Sequence, residues 1–102
     1  FRVFVVGDMG ELGDNAQLCH QEVGEFAHAA KLDLVLSFGC SSGVISAVNS
    51  GRHFTDKTEL VTYLTPIIQQ QLAQQKVVVL VKGSRSMKME EVIDLLKGNF
   101  LC

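Results

Sequence analysis

The run Val77-Val78-Val79-Leu80-Val81 constrains the fold of this chain more than any other feature. Four of its five residues are β-branched, which favours an extended strand. A strand with one wet face alternates apolar and polar residues, and this run does not. Burial on both faces is therefore expected, as in a parallel sheet covered by helices. Val3-Phe4-Val5-Val6 has the same character near the start, and Leu34-Val35-Leu36-Ser37-Phe38 reads as a further short strand.

The segments between these runs carry the helical period. After Asp14, a good N-cap, apolar positions recur at Cys19, Val23, Phe26, Ala27 and Ala30, one face of a helix. Gly39-Cys40-Ser41-Ser42-Gly43 turns the chain into a short helix over Val44–Asn49, which Ser50-Gly51 ends. His53-Phe54-Thr55 reads as a brief third strand. Asp56 with Glu59 makes a variant capping box for a long helix buried along Leu60, Leu64, Ile67, Ile68 and Leu72. Pro66 removes an internal hydrogen bond, so a kink or break is expected near Thr65. A last helix runs over Met89–Lys97 with Val92, Leu95 and Leu96 inward. Strand and helix thus alternate. The expected fold is α/β and Rossmann-like: a mostly parallel sheet with helices on both faces and right-handed crossovers.

At 102 residues this is a single domain. Nine basic and eleven acidic residues, a net charge of −2, form no electrostatic footprint for nucleic acid. No apolar stretch reaches membrane-spanning length. Cys19, Cys40 and Cys102 lack metal-ligand spacing and read as reduced thiols of a cytoplasmic protein, with Cys19 packed as a small hydrophobe. The chain opens on Phe1-Arg2-Val3, already inside a strand pattern. It is expected to be a piece of something longer, a single domain lacking its N-terminal portion.

In such a sheet the loops leaving the carboxyl ends of the strands share one edge. Three loops belong there: Gly7–Gly13, Gly39–Gly43 and Lys82–Ser86. The first, Gly-Asp-Met-Gly-Glu-Leu-Gly, spaces three glycines by three, a composition suited to close approach by a ligand or to positive φ. It is neither the dinucleotide fingerprint nor the phosphate loop of an ATPase, which occurs nowhere in the chain. Asp8 and Glu11 fit a metal, base or amine-binding role, and equally turn stabilisation and a solvated acid. The third loop, Lys-Gly-Ser-Arg-Ser, sets two cations and two hydroxyls before a helix start. That suits a phosphate or carboxylate, since arginine engages two oxygens at once. An ordinary solvated loop with capping serines fits as well. His20 reads more readily as an exposed helical residue than as part of this edge. His28 and His53 have no partner at ligand spacing, and no Ser/His/Asp arrangement is present.

Gly7-Asp8-Met9, Glu11-Leu12-Gly13, His20 and Val23-Gly24, followed by Val81-Lys82-Gly83-Ser84-Arg85-Ser86-Met87 and Met89-Glu90-Glu91, closely resemble the C-terminal domain of the Mur ligase family of peptidoglycan synthesis. Within that family they are most similar to the member acting on UDP-N-acetylmuramoyl-tripeptide and D-alanyl-D-alanine. The resemblance covers essentially the whole chain, and the ordered pair of motifs is what makes it specific. It implies a three-domain cytoplasmic enzyme whose central domain carries the ATP loop and the Mg²⁺ site. The third domain, residues 1–102 here, would close over ATP and dipeptide. The implied reaction activates the peptide carboxylate as an acyl phosphate, which the dipeptide amine then attacks. On this resemblance Lys82, Gly83, Ser84 and Arg85 would suit the dipeptide carboxylate or ATP phosphates. Asp8 and Glu11 would suit the dipeptide ammonium, the ribose or interdomain contacts, and Met9, Leu12 and His20 complete the expected binding set. No catalytic residue and no metal ligand is implied in this chain. The phosphate loop, the Mg²⁺ ligands, and an upstream strand with an asparagine-containing nucleotide segment are absent, so the isolated chain is expected to be inactive. The competing reading is a stand-alone anion- or nucleotide-binding α/β module with a regulatory or partner-binding role.

Overall fold

The structure is a computed structural model that describes residues 1–9, 16–40 and 42–101. Its elements alternate as β1 (Arg2–Gly7), α1 (Ala16–Ala29), β2 (Leu34–Phe38), α2 (Gly43–Val48), β3 (Arg52–Phe54), α3 (Lys57–Leu72), β4 (Val78–Lys82) and α4 (Glu90–Leu101). The strands form one sheet in the order β3-β2-β1-β4, and all three pairings are parallel. This is the expected α/β, Rossmann-like architecture.

Helices cover both faces and create two cores. Val3 and Val5 of β1, Leu36 of β2 and Phe54 of β3 pack against Leu60, Val61, Leu64 and Ile68 of α3. Met89, Val92 and Leu96 extend this core into α4. On the opposite face Phe4, Val6 and Val35 meet Ala27 of α1 and Ile45 of α2. Each of the larger side chains contributes about 1.5–3 kcal/mol by leaving water.

The expectation for Val77–Val81 does not hold. The strand spans Val78–Lys82, shifted by one residue, and lies at the sheet edge. Its burial alternates: Val77, Val79 and Val81 pack into the α3/α4 core, whereas Val78 and Leu80 are 61% and 50% exposed. No described helix covers β4 on the α1 side. The strands buried on both faces are the two interior ones, β1 and β2, which have neighbours at both edges and side chains in both cores.

Other corrections follow the helix faces. Phe26, expected inward, is 79% exposed. The inward stripe of α1 is His20, Gly24 and Ala27, with Val23 half-buried. Gly24 makes this possible, because a Cβ there would stand 3.1 Å from the backbone of Ile45 in α2. A helix crossing this close is built on the smallest side chain, not on the largest hydrophobe. Leu95, also expected inward, is 40% exposed; Met89, Val92 and Leu96 form the stripe of α4, which runs on to Leu101. Leu72 is half-exposed rather than buried, and Val61 takes a place in the α3 stripe.

Helix α3 does not break near Thr65 but runs through Pro66. The Thr65 hydroxyl donates to the Val61 carbonyl at 2.7 Å and accepts from the Asn99 amide at 3.0 Å, tying this turn to α4. At the start of α3 the Asp56 carboxylate accepts from the amides of Thr58 and Glu59, as the capping signal required. The strand expected at His53–Thr55 is Arg52–Phe54. The Asp14 cap lies outside the described residues.

Candidate functional site

The strand order explains where a ligand belongs. From β1 the chain winds outward through β2 to β3, then returns by α3 to place β4 on the other side of β1. The sheet therefore reverses direction between β1 and β4. Open parallel sheets receive ligands in the crevice outside the carboxyl ends of two such strands. A cleft of about 770 Å³ lies there, floored by Phe4, Val6 and Val23 and rimmed by Met9 and by Lys82–Ser86.

The rim is cationic. Lys82 ends β4, and Ser84 leads into a short 3-10 turn over Arg85–Met87. Lys82 and Arg85 are exposed, and neither has an acidic partner among the described residues, where Lys57–Glu91 is the one ion pair. The Ser84 and Ser86 hydroxyls lie 2.9 Å apart. Gly83 and Gly7 sit beneath Met89. A Cβ on Gly83 would come within 2.7 Å of the Met89 side chain and 3.2 Å of the Gly7 Cα, so these two strand ends close tightly.

Asp8 and Met9 reach this edge in different ways. The Asp8 carboxylate turns into the loop between β2 and α2. There Oδ2 accepts from the Cys40 amide at 2.7 Å and Oδ1 from the Ser42 amide at 2.8 Å. Its backbone N–H donates to Phe38 at 3.2 Å, and its carbonyl accepts from the Ser84 amide at 3.0 Å. The Met9 amide donates to Nε2 of His20 at 3.0 Å. His20 is not the exposed histidine that the sequence suggests; it is fully buried beneath the loop. An N–H can be met only by a ring lone pair, so the neutral His20 carries its proton on Nδ1.

Two further residues escaped the sequence reading. His53, given no role, has Nδ1 2.7 Å from the Ser37 hydroxyl and Nε2 2.7 Å from the Gly39 carbonyl, to which it donates. Ser37 is fully buried and also lies 2.7 Å from the Ser46 hydroxyl, so this Ser–His pair is structural. Ser42 supplies an amide to Asp8 while its hydroxyl caps the Phe38 carbonyl at 2.8 Å. No spacing rule links residues so far apart in sequence. Of the expected site residues, Asp8, Met9, His20, Lys82, Gly83, Ser84 and Arg85 all gather at one edge. Glu11 and Leu12 lie outside the described residues. Of the described cysteines, Cys19 is half-buried and Cys40 exposed.

A parallel α/β sheet with a cationic cleft at its switch point defines a Rossmann-like domain. No family model matches the chain. Over its full length it is 57% identical to the UDP-N-acetylmuramoyl-tripeptide–D-alanyl-D-alanine ligase of Haemophilus influenzae, covering 22% of that protein. It is 50% identical to the ligase of the same name from Escherichia coli, again over 22% of its length. A crystal structure of MurF from Acinetobacter baumannii superposes with a TM-score of 0.81 at 30% identity, over 93% of this chain and 21% of that one. MurF from Thermotoga maritima in complex with ADP superposes with a TM-score of 0.72 at 26% identity, over 95% and 22%. The chain belongs to this Mur ligase family. It spans about a fifth of the length of the curated relatives it matches.

Proposed function

We propose that residues 1–102 are the C-terminal, third domain of an ATP-dependent ligase of the cytoplasm. The whole enzyme joins D-alanyl-D-alanine to UDP-N-acetylmuramoyl-tripeptide during cell-wall synthesis. The observation that carries this reading is the pair of cations, Lys82 and Arg85, without acidic partners at the switch-point cleft. Two such cations attract an anion with several oxygens, either the ATP phosphates or the dipeptide carboxylate. Ser84 and the loop amides add neutral donors, and Met9 with the apolar floor shields one side from water. The names of the relatives, and the ADP of one of them, support the same choice of ligands.

The residues present suit ATP oxygens better than a metal. Among the described residues no group of three or more histidine, cysteine or acidic side chains stands ready for an ion. The family resemblance assigns Mg²⁺ to the central domain, where it would offset charge on the transferring phosphoryl group. This domain contributes binding and orientation as it closes over the nucleotide. Glu11 and Leu12 remain in the proposed binding set, and the isolated chain should not turn over substrate.

Arg85→Ala in the intact protein tests the assignment. It should raise KM for ATP or for the dipeptide, or lower kcat, at least roughly tenfold, about 1.4 kcal/mol. Unchanged steady-state kinetics would reject Lys82–Arg85 as a site.

A further inference from the structure

Asp8 stands where all three loops of the carboxyl edge meet, and its carboxylate faces the β2–α2 loop, not the cleft. Met9, but not Asp8, is among the residues that line the cleft. We propose that Asp8 is a positioning residue for the cationic rim. By gripping the β2–α2 loop through its side chain and Ser84 through its carbonyl, it sets the height of the Lys82–Ser86 loop above the cleft. The proposal rests on the reading of that cleft as the ligand site, and it gives Asp8 a role other than contact with the ligand.

The grip is specific. Both carboxylate oxygens accept backbone amides, at 2.7 and 2.8 Å, and such charge-assisted bonds are stronger than neutral ones. Gly39 makes room for them. Its φ is +121°, and a Cβ there would stand 2.6 Å from the carboxylate carbon. The loop is anchored from its far side as well. His53 Nε2 donates to the Gly39 carbonyl, and the Gly39 amide donates to Phe54 at 3.1 Å. A carboxylate held by so braced a loop holds its own backbone still. The Asp8 carbonyl is then a fixed acceptor for Ser84, one residue before Arg85. Asparagine at position 8 offers one acceptor oxygen, and its NH₂ would confront the second amide donor to donor.

Amide hydrogen exchange in the intact protein, read beside steady-state kinetics, tests this. Asp8→Asn should accelerate exchange at Cys40, Ser42 and Ser84 together, by about tenfold or more. It should raise KM for ATP or dipeptide by a similar factor while kcat at saturation stays within about threefold. Gly39→Ala keeps the carboxylate but pushes it off the loop, so it should reproduce both effects, and the double variant should add little to either single change. Three results would overturn the proposal: a raised KM in Asp8→Asn with exchange at the three amides unchanged, which means direct ligand contact; faster exchange at Cys40 and Ser42 with Ser84 unaffected; or Gly39→Ala with faster exchange and normal KM. If the reading of that cleft as the ligand site fails, Arg85→Ala leaves the kinetics unchanged, while the exchange at Ser84 still reports whether Asp8 positions that loop.

Discussion

A buried imidazole does different work depending on whether its free nitrogen lone pair is spoken for. In His20 it is: Nε2 takes the Met9 amide at 3.0 Å, so the side chain acts as a bracket between α1 and the loop that leaves β1. Replacement by phenylalanine keeps much of the volume and removes the acceptor, leaving a part-buried N–H unpaired. His20→Phe should therefore lower stability by about 1–3 kcal/mol, the cost of an orphaned donor. Urea unfolding at neutral pH would measure it, and a loss below about 0.5 kcal/mol would show that water replaces the imidazole. At this scale the sequence was legible for residue type and misleading for orientation. Asp8, Lys82 and Arg85 were recognisable as chemistry-bearing, but whether a carboxylate faces a ligand or its own neighbouring loop depends on Gly39, 31 residues away along the chain. Nothing local to Asp8 encodes that.

Between elements, the amino ends of α3 and α4 are joined by one ion pair. Lys57 Nζ lies 2.8 Å from Glu91 Oε1 and 5.3 Å from the centre of the Phe38 ring. The hydrogen bond from Lys57, and then its charge, hold the Glu91 carboxyl below the usual carboxylate range. An acid whose folded value is lowered adds stability that is present above its unfolded value. That stability is lost as pH falls through the folded value. Glu91→Gln should thus melt slightly lower than the parent at pH 7, and the gap should narrow as pH falls below the ordinary glutamate value and through the lowered folded one. Thermal melts from pH 7 to pH 3 would show it. A gap that stays constant across this acid range would assign the effect to packing. Glu91 is more than half exposed, so the pair contributes little stability, and that fades with added salt. Elements as such were the most legible level. All four strands and all four helices were recognisable from apolar period and capping residues, with boundaries moved by one to a few residues. Pro66 was misread because its rule concerns an isolated helix. Here α3 is pinned on both sides of the proline, by Leu64 and Ile68 in the core, and tertiary packing outweighs one missing bond.

For the whole molecule, the consequential feature is the asymmetry of β4. Its α4 side belongs to the larger core, whereas no described helix covers its α1 side. Equal hydrophobicity on the two faces therefore carries unequal energy. Leu80→Thr should change stability by no more than about 0.5 kcal/mol, as for other exposed positions. Leu64→Ala, at a fully buried site, should cost about 2–5 kcal/mol. Paired denaturant melts would decide between this picture and one in which both faces of β4 are covered, where the two losses would be comparable.

The alternation of apolar runs and helical stripes was enough to establish the α/β class. It also established that three loops share one edge, because parallel strands force every crossover to return to the same end. Motif identity reached further, to the Mur ligase family, because Gly7–Gly13 and Lys82–Ser86 occur together and in order. Strand order was beyond it. A run of valines has the same composition at the centre of a sheet or at its edge, and only the return of α3 past β1 put β4 at the edge. That one topological choice made the switch point, opened the cleft between β1 and β4, and left Lys82 and Arg85 without acidic partners among the described residues; the pairing of β1 with β2 set Asp8 beside the loop it grips. These are contacts between residues 30 to 80 positions apart, and they come into being only when the chain closes on itself.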